Sequence, residues 1–95
     1  MAARPVDVEG KDVGKIFVYA LSTCGWCKRT KRLLNELGIA YSFIDVDRLN
    51  TDEREATKDD IRKYNPKCTF PTVVINETEC VIGHNEEKLR KVLGL

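Results

Sequence analysis

At 95 residues the chain has room for one domain, and a second hydrophobic core of useful size does not fit. Its composition, 42% hydrophobic and 33% charged with three prolines and six glycines, excludes disordered and collagen-like classes. Lys and Arg number 16 against 15 Asp and Glu, so the net charge of +1 argues against a general nucleic-acid binder. No apolar stretch approaches the roughly 20 residues that span a bilayer, so a soluble protein without a membrane partner is expected.

Residues 1–14, MAARPVDVEGKDVG, mix proline, glycine and scattered charge without periodicity. They read as a tail, at most partly extended, with the domain spanning residues 15–95. The opening has no apolar core of a secretory leader, which points to a reducing, cytoplasmic compartment. There, four cysteines serve chemistry or metal binding more often than structural bridging.

Ile16, Phe17, Val18, Tyr19 and Ala20 form a β-branched and aromatic run, expected as a strand buried on both faces. Ser22 and Thr23 are helix-starting residue types. From Gly25 onward Cys27, Thr30, Leu34 and Leu37 recur at spacings of three and four, with Leu33 beside them, and Gly38 supplies the stop. A second strand is expected within 39–46, completing a βαβ unit with parallel strands. Residues 47–54 are polar and turn-like. A second helix follows over about 51–64, ended by Asn65 and Pro66. Residues 69–75 read as a third strand entered through Pro71, 76–78 as a turn and 79–82 as a fourth strand, forming a hairpin. Leu89, Val92 and Leu93 lie at helical spacing in a closing helix over 86–93. The order β-α-β-α-β-β-α, with Cys-x-x-Cys at the first strand-to-helix junction, indicates a thioredoxin-like α/β fold.

Two thiols three positions apart at a helix start lie on one side of the first turn, close enough to close a disulfide without rearranging the helix. Cys24 falls at the helix tip, where unpaired amide N–H groups and the positive end of the helix dipole favour the thiolate. A partly buried helix terminus contributes up to about 2 kcal/mol, so this cysteine needs no neighbouring histidine to react. Cys27 lies one turn in, facing the core. The chemistry follows: Cys24 attacks a substrate disulfide, and Cys27 resolves the mixed disulfide. A zinc site is the competing use of such a pair, but Cys68, Cys80 and His84 are not spaced as a second ligand pair, and no metal is expected.

From residue 15 to the end, the chain resembles the glutaredoxin family. The resemblance rests on Val18-Tyr19-Ala20-Leu21-Ser22-Thr23-Cys24-Gly25-Trp26-Cys27 with Lys31-Arg32-Leu33-Leu34, on Thr69-Phe70-Pro71-Thr72-Val73-Val74-Ile75, and on Val81-Ile82-Gly83-His84-Asn85-Glu86-Glu87-Lys88-Leu89. It implies a thioredoxin fold with a four-stranded mixed sheet flanked by three helices. It also implies a cis Pro71 beside the cysteine pair and substrate contacts at Trp26, Phe70, Pro71 and Gly83. A proline at a strand entry could by itself equally be trans. The family relation further implies an enzyme with no cofactor beyond its redox-active disulfide, working as a monomer on disulfide-containing proteins or small disulfides. Its reductant would be glutathione as a co-substrate or a thioredoxin-reductase-type enzyme. Family members commonly carry Pro-Tyr between the cysteines where this chain has Gly25-Trp26, and many carry Lys at the position of Leu21. His84-Asn85-Glu86 replaces the second glycine and acidic pair of glutathione-binding members. A second class of function stands beside the first: an iron-sulfur carrier with the cluster bridged between two chains through Cys24.

Among the remaining residues, Cys68 and Cys80 read as small half-buried hydrophobes, with a bridge between them left open. His84, the lone histidine, reads as a turn or surface residue. Lys28, Arg29, Lys31 and Arg32 read as a basic helix face, solvated or drawing acidic partners to the active tip. Asp45 and Asp47 read as loop-capping acids, and Tyr19 as core.

Overall fold

The computed structural model describes residues 4–95. In chain order the elements are β1 (Val6–Val8), β2 (Ile16–Ala20), α1 (Gly25–Glu36), β3 (Tyr41–Asp45), a single 3-10 turn (Val46–Arg48), α2 (Thr51–Arg62), β4 (Thr72–Ile75), β5 (Glu79–Ile82) and α3 (Glu86–Leu93). One mixed sheet has the order β1-β3-β2-β4-β5. Strands β2 and β3 run parallel, as the short βαβ reading requires, and the other pairs are antiparallel. The fold is thioredoxin-like, with three helices as expected.

The sheet has one strand more than the four expected, because the segment read as a tail supplies an edge. Val6, Asp7 and Val8 pair with Phe43, Ser42 and Tyr41. The strand escapes sequence reading because it is three residues long and mostly exposed, so it carries no alternation to recognise. What fixes it is a close backbone approach further along: Lys11 donates to the Gly38 carbonyl at 2.7 Å and accepts from the Ala40 N–H at 3.0 Å. Gly10 makes room, since a Cβ there would stand 2.6 Å from the Ala40 nitrogen and the Ile39 carbonyl carbon. Gly10→Ala is therefore expected to lower stability by about 1–3 kcal/mol through forced backbone displacement. Urea unfolding checks the loss, and amide exchange should show faster opening at Tyr41 and Phe43.

Packing is asymmetric across the sheet. On one face Ile16, Val18 and Ala20 of β2 meet Cys27, Leu33 and Leu34 of α1, Val73 and Ile75 of β4, Val81 of β5 and Leu89 of α3, all buried. On the other face α2 covers the sheet mainly through Ile61, against Ile44 and Val46, with Phe17 and Tyr19 only half-buried. The sequence of β2 predicts a strand buried on both faces. It is buried on one, because α2 is polar apart from the few side chains it turns inward. Tyr19 is nonetheless shielded enough that burial pushes its phenol up to about 12.

Helix ends carry the expected signals in part. Asn50 caps α2 with a complete capping box: its side chain accepts from the Glu53 N–H, and Glu53 accepts from the Asn50 N–H. Gly38, at φ 68°, follows the last turn of α1 and accepts a conformation that a side chain would strain. Strand β4, expected over 69–75, begins at Thr72 rather than Thr69. Pro71 has no N–H to give to a ladder, and the Thr72 hydroxyl bonds back to the Thr69 carbonyl at 2.7 Å, closing a turn instead. Among the described residues no helix is long and apolar enough to cross a membrane.

Candidate active site

The two cysteines of Cys24-Gly25-Trp26-Cys27 have different surroundings, and local backbone geometry produces the difference. The sequence pointed to Ser22 or Thr23 as the helix start, but Cys24 itself is the cap. Its backbone is extended (φ −83°, ψ 117°), and its Sγ accepts the Cys27 N–H at 3.2 Å. The sulfur thus satisfies one of the orphan amides of α1, a role usually filled by an oxygen. Ser22 is diverted: its N–H and hydroxyl both bond to Asp47, anchoring the loop before the cysteine to the 3-10 turn. Those two bonds hold the Asp47 carboxyl below the usual carboxylate range.

Cys24 is partly exposed, whereas Cys27 is fully buried in the main core. Burial, with the Cys24 sulfur adding to it, pushes the Cys27 thiol up to about 12, while the Lys31 ammonium pulls the other way. Both Cys27 and Tyr19 therefore keep a proton in the folded protein that the unfolded chain sheds near pH 9 and 10 respectively. The stability they contribute is fully present below about pH 9 and is lost as the pH climbs toward 12. Urea midpoints of the reduced protein should hold up to about pH 9 and then fall steadily toward pH 12. Cys27→Ala should flatten the early part of that fall.

Facing the cysteine pair is the loop before β4. The Phe70–Pro71 peptide bond is cis and Pro71 is buried. Asn65, 1% exposed, organises this loop: its amide donates to the Thr69 carbonyl, the Thr69 hydroxyl and the Thr72 hydroxyl at 3.0–3.3 Å. The sequence suggested only a helix terminator there. Gly83, at φ 79°, donates its N–H to the Pro71 carbonyl at 2.8 Å, joining the turn after β5 to the proline loop. A cavity of about 240 Å³ results, lined by Trp26, Phe70, Pro71, Gly83 and His84. All four residues expected to contact substrate line this one cavity, and His84, read from sequence as a turn or surface residue, joins them. A larger open groove of about 670 Å³ lies along β5 and α3, with no cysteine in its walls.

The basic helix face proves divided. Lys31 pairs with Asp45 at 2.8 Å, each side chain 18% exposed, and its ammonium lies 3.9 Å from the Phe43 ring centroid. Arg29 lies over the Trp26 indole, while Lys28 and Arg32 are exposed. Asp45 is thus an ion-pair partner rather than a loop cap. The thiol of Cys80 donates to the Tyr64 carbonyl at 3.3 Å, and Cys68, at φ 52°, packs with the smaller core on the α2 face. All four cysteines are free thiols. Among the described residues no three His, Cys, Asp or Glu side chains converge as a metal site.

An α/β sheet of this topology, with a Cys-x-x-Cys at a helix tip against a cis-proline loop, defines a thioredoxin-like thiol protein. The glutaredoxin family model matches residues 16–80. The glutaredoxin of Methanosarcina mazei Go1 superposes with a TM-score of 0.90 at 42% identity, over 98% of this chain and 90% of that one. Methanosarcina acetivorans methanoredoxin superposes with a TM-score of 0.88 at 40% identity, over 90% of each chain. Glutaredoxin 1 of Rickettsia conorii is 36% identical over 61 residues, 64% of this chain. That match spans 57% of the Rickettsia protein's length. The chain belongs to the glutaredoxin family.

Proposed function

We propose that the protein is a dithiol-disulfide oxidoreductase, with Cys24 as attacking thiolate and Cys27 as resolving thiol. The observation that carries this reading is the asymmetry of the pair: a partly exposed sulfur accepting the Cys27 N–H in the first turn of α1, backed by the buried thiol of Cys27 itself. Cys24 attacks one sulfur of a substrate disulfide, forming a mixed disulfide and expelling the other sulfur as a thiolate, which takes a proton from water. Cys27 then gives up its proton and attacks the Cys24 sulfur. The second substrate thiolate leaves and is protonated, and the Cys24–Cys27 disulfide remains. The substrate has gained two electrons and two protons, which two thiol equivalents from a reductant restore to the enzyme.

The buried state of Cys27 suits the second step. An intact thiol in the core does not compete for the incoming substrate, yet it lies within a helical turn of the bond it must break. The substrate is a protein or small-molecule disulfide that reaches Cys24 past Trp26, Phe70, Pro71 and Gly83. We place the enzyme in a reducing cytoplasm as a monomer. Its reductant is glutathione or a thioredoxin-reductase-type enzyme. Leu21 packs against the smaller core and offers no ammonium to a glutathione carboxylate, which favours the second donor.

The deciding experiment supplies the oxidised protein with glutathione and its reductase, or separately with thioredoxin reductase, and follows NADPH consumption with a disulfide substrate. Turnover with either donor is expected, and none with both would overturn the reading. The cluster-carrier alternative draws one thiolate from each of two chains, and nothing in the site favours it. Anaerobic reconstitution is expected to give a colourless monomer.

A further inference from the structure

The chain has one tryptophan, placed between the two cysteines and 57% exposed. An indole so exposed would ordinarily sample several rotamers. Here it is held. The His84 ring stacks on it with centroids 5.9 Å apart and planes 23° apart, and the Arg29 guanidinium lies 4.9 Å from the ring centroid. His84 is itself fixed from two sides. Its Nδ1 is 2.9 Å from the hydroxyl of Thr30, which is fully buried on α1 four residues after Trp26. Its chain neighbour Gly83 is bonded to the Pro71 carbonyl. A buried hydroxyl needs its partner, so the Thr30–His84 bond is held by the core rather than by the surface.

We propose that His84 is a positioning residue: tied to Thr30, it fixes the Trp26 indole as one wall of a narrow groove whose other wall is Phe70–Pro71, so the site selects disulfides flanked by slender, uncharged groups. The groove walls are aromatic rings, proline and glycine, and none of the lining residues is an acid, a lysine or an arginine. At about 240 Å³ the cavity is smaller than the roughly 300–1,000 Å³ of pockets that enclose a whole drug-sized ligand, so it takes only the atoms beside the reacting sulfur. Freeing the indole widens the slot and relaxes the choice. This selection rests on the oxidoreductase reading above, while the positioning of Trp26 does not.

The test uses the single tryptophan as its own reporter. Steady-state anisotropy and acrylamide quenching of Trp26 are measured in the reduced wild type, His84→Ala, Thr30→Val and Thr30→Ser. In parallel, kcat and KM are measured for the disulfide-linked dimers of Gly-Cys-Gly and Trp-Cys-Trp peptides. His84→Ala and Thr30→Val are expected to lower the anisotropy and raise quenching. They should also cut the preference for the glycine peptide at least threefold, mainly through KM, and Thr30→Ser should restore both readouts. Should His84→Ala fold poorly, the near-isosteric Thr30→Val against Thr30→Ser decides. Unchanged anisotropy in both His84→Ala and Thr30→Val overturns the proposal, as does a freed indole with unchanged peptide preference. A wild type that reduces neither peptide overturns the selection and the oxidoreductase reading, and the anisotropy then tests the positioning of Trp26 alone.

Discussion

Replacing Cys24 with serine is expected to reduce disulfide turnover by on the order of a thousandfold or more, because the attacking species is a thiolate and a hydroxyl does not replace it. The cap itself survives, since a serine oxygen accepts the Cys27 N–H at least as well as sulfur does. Far-UV circular dichroism and the urea midpoint should therefore stay near wild type while activity vanishes, which separates chemistry from folding. Cys27→Ser has a different signature. The first attack proceeds, the resolving thiol is missing, and the mixed disulfide on Cys24 accumulates as a mass increase equal to half the substrate. Equal residual turnover in the two variants would contradict the division of roles.

The placement of the pair, Cys24 at the tip of α1 and Cys27 one turn in and buried, was legible in the sequence for a simple reason: it depends on spacing and on a strand-to-helix junction, and both are local. The βαβ unit, the inward face of α1 and the β4–β5 hairpin were legible on the same ground. What escaped notice depends on contacts between residues far apart in the chain. Asn65 looked like a helix terminator, yet its amide bonds Thr69 and Thr72, and only the folded loop brings those acceptors to it. His84 looked like a lone turn residue, and it reaches Trp26 because the Gly83 turn is bonded to Pro71 and because His84 meets Thr30, 54 residues earlier in the chain. Lys31 and Asp45 sit on separate elements, so their pairing could not be read from either. The edge strand β1 is legible only through the shape complementarity of Gly10 with the backbone of 38–40.

The largest loss of stability is expected from Leu34→Ala. Leu34 is fully buried where α1 meets the sheet, in the same cluster as Cys27, and truncating such a side chain costs about 2–5 kcal/mol in lost transfer energy and residual cavity. Against a total stability on the order of 5–15 kcal/mol, that removes a large fraction. At roughly 4–8 °C per kcal/mol for a domain of this size, the melting midpoint should drop by about 10 °C or more. Because α1 carries both cysteines, activity should fall with the folded fraction and recover on cooling, with KM near wild type at temperatures where the variant is folded. A Leu34→Ala protein that melts within about 2 °C of wild type would show that the α1 face contributes less to the fold than its burial implies.

One thiol is presented at the tip of α1 and its partner is withheld in the core. Brief iodoacetamide treatment of the reduced, folded protein at pH 7, mapped by peptide mass spectrometry, tests it most directly. Cys24 should be alkylated well ahead of Cys68 and Cys80, and Cys27 should stay unmodified until the chain is unfolded. Labelling of Cys27 as early as Cys24 would contradict it.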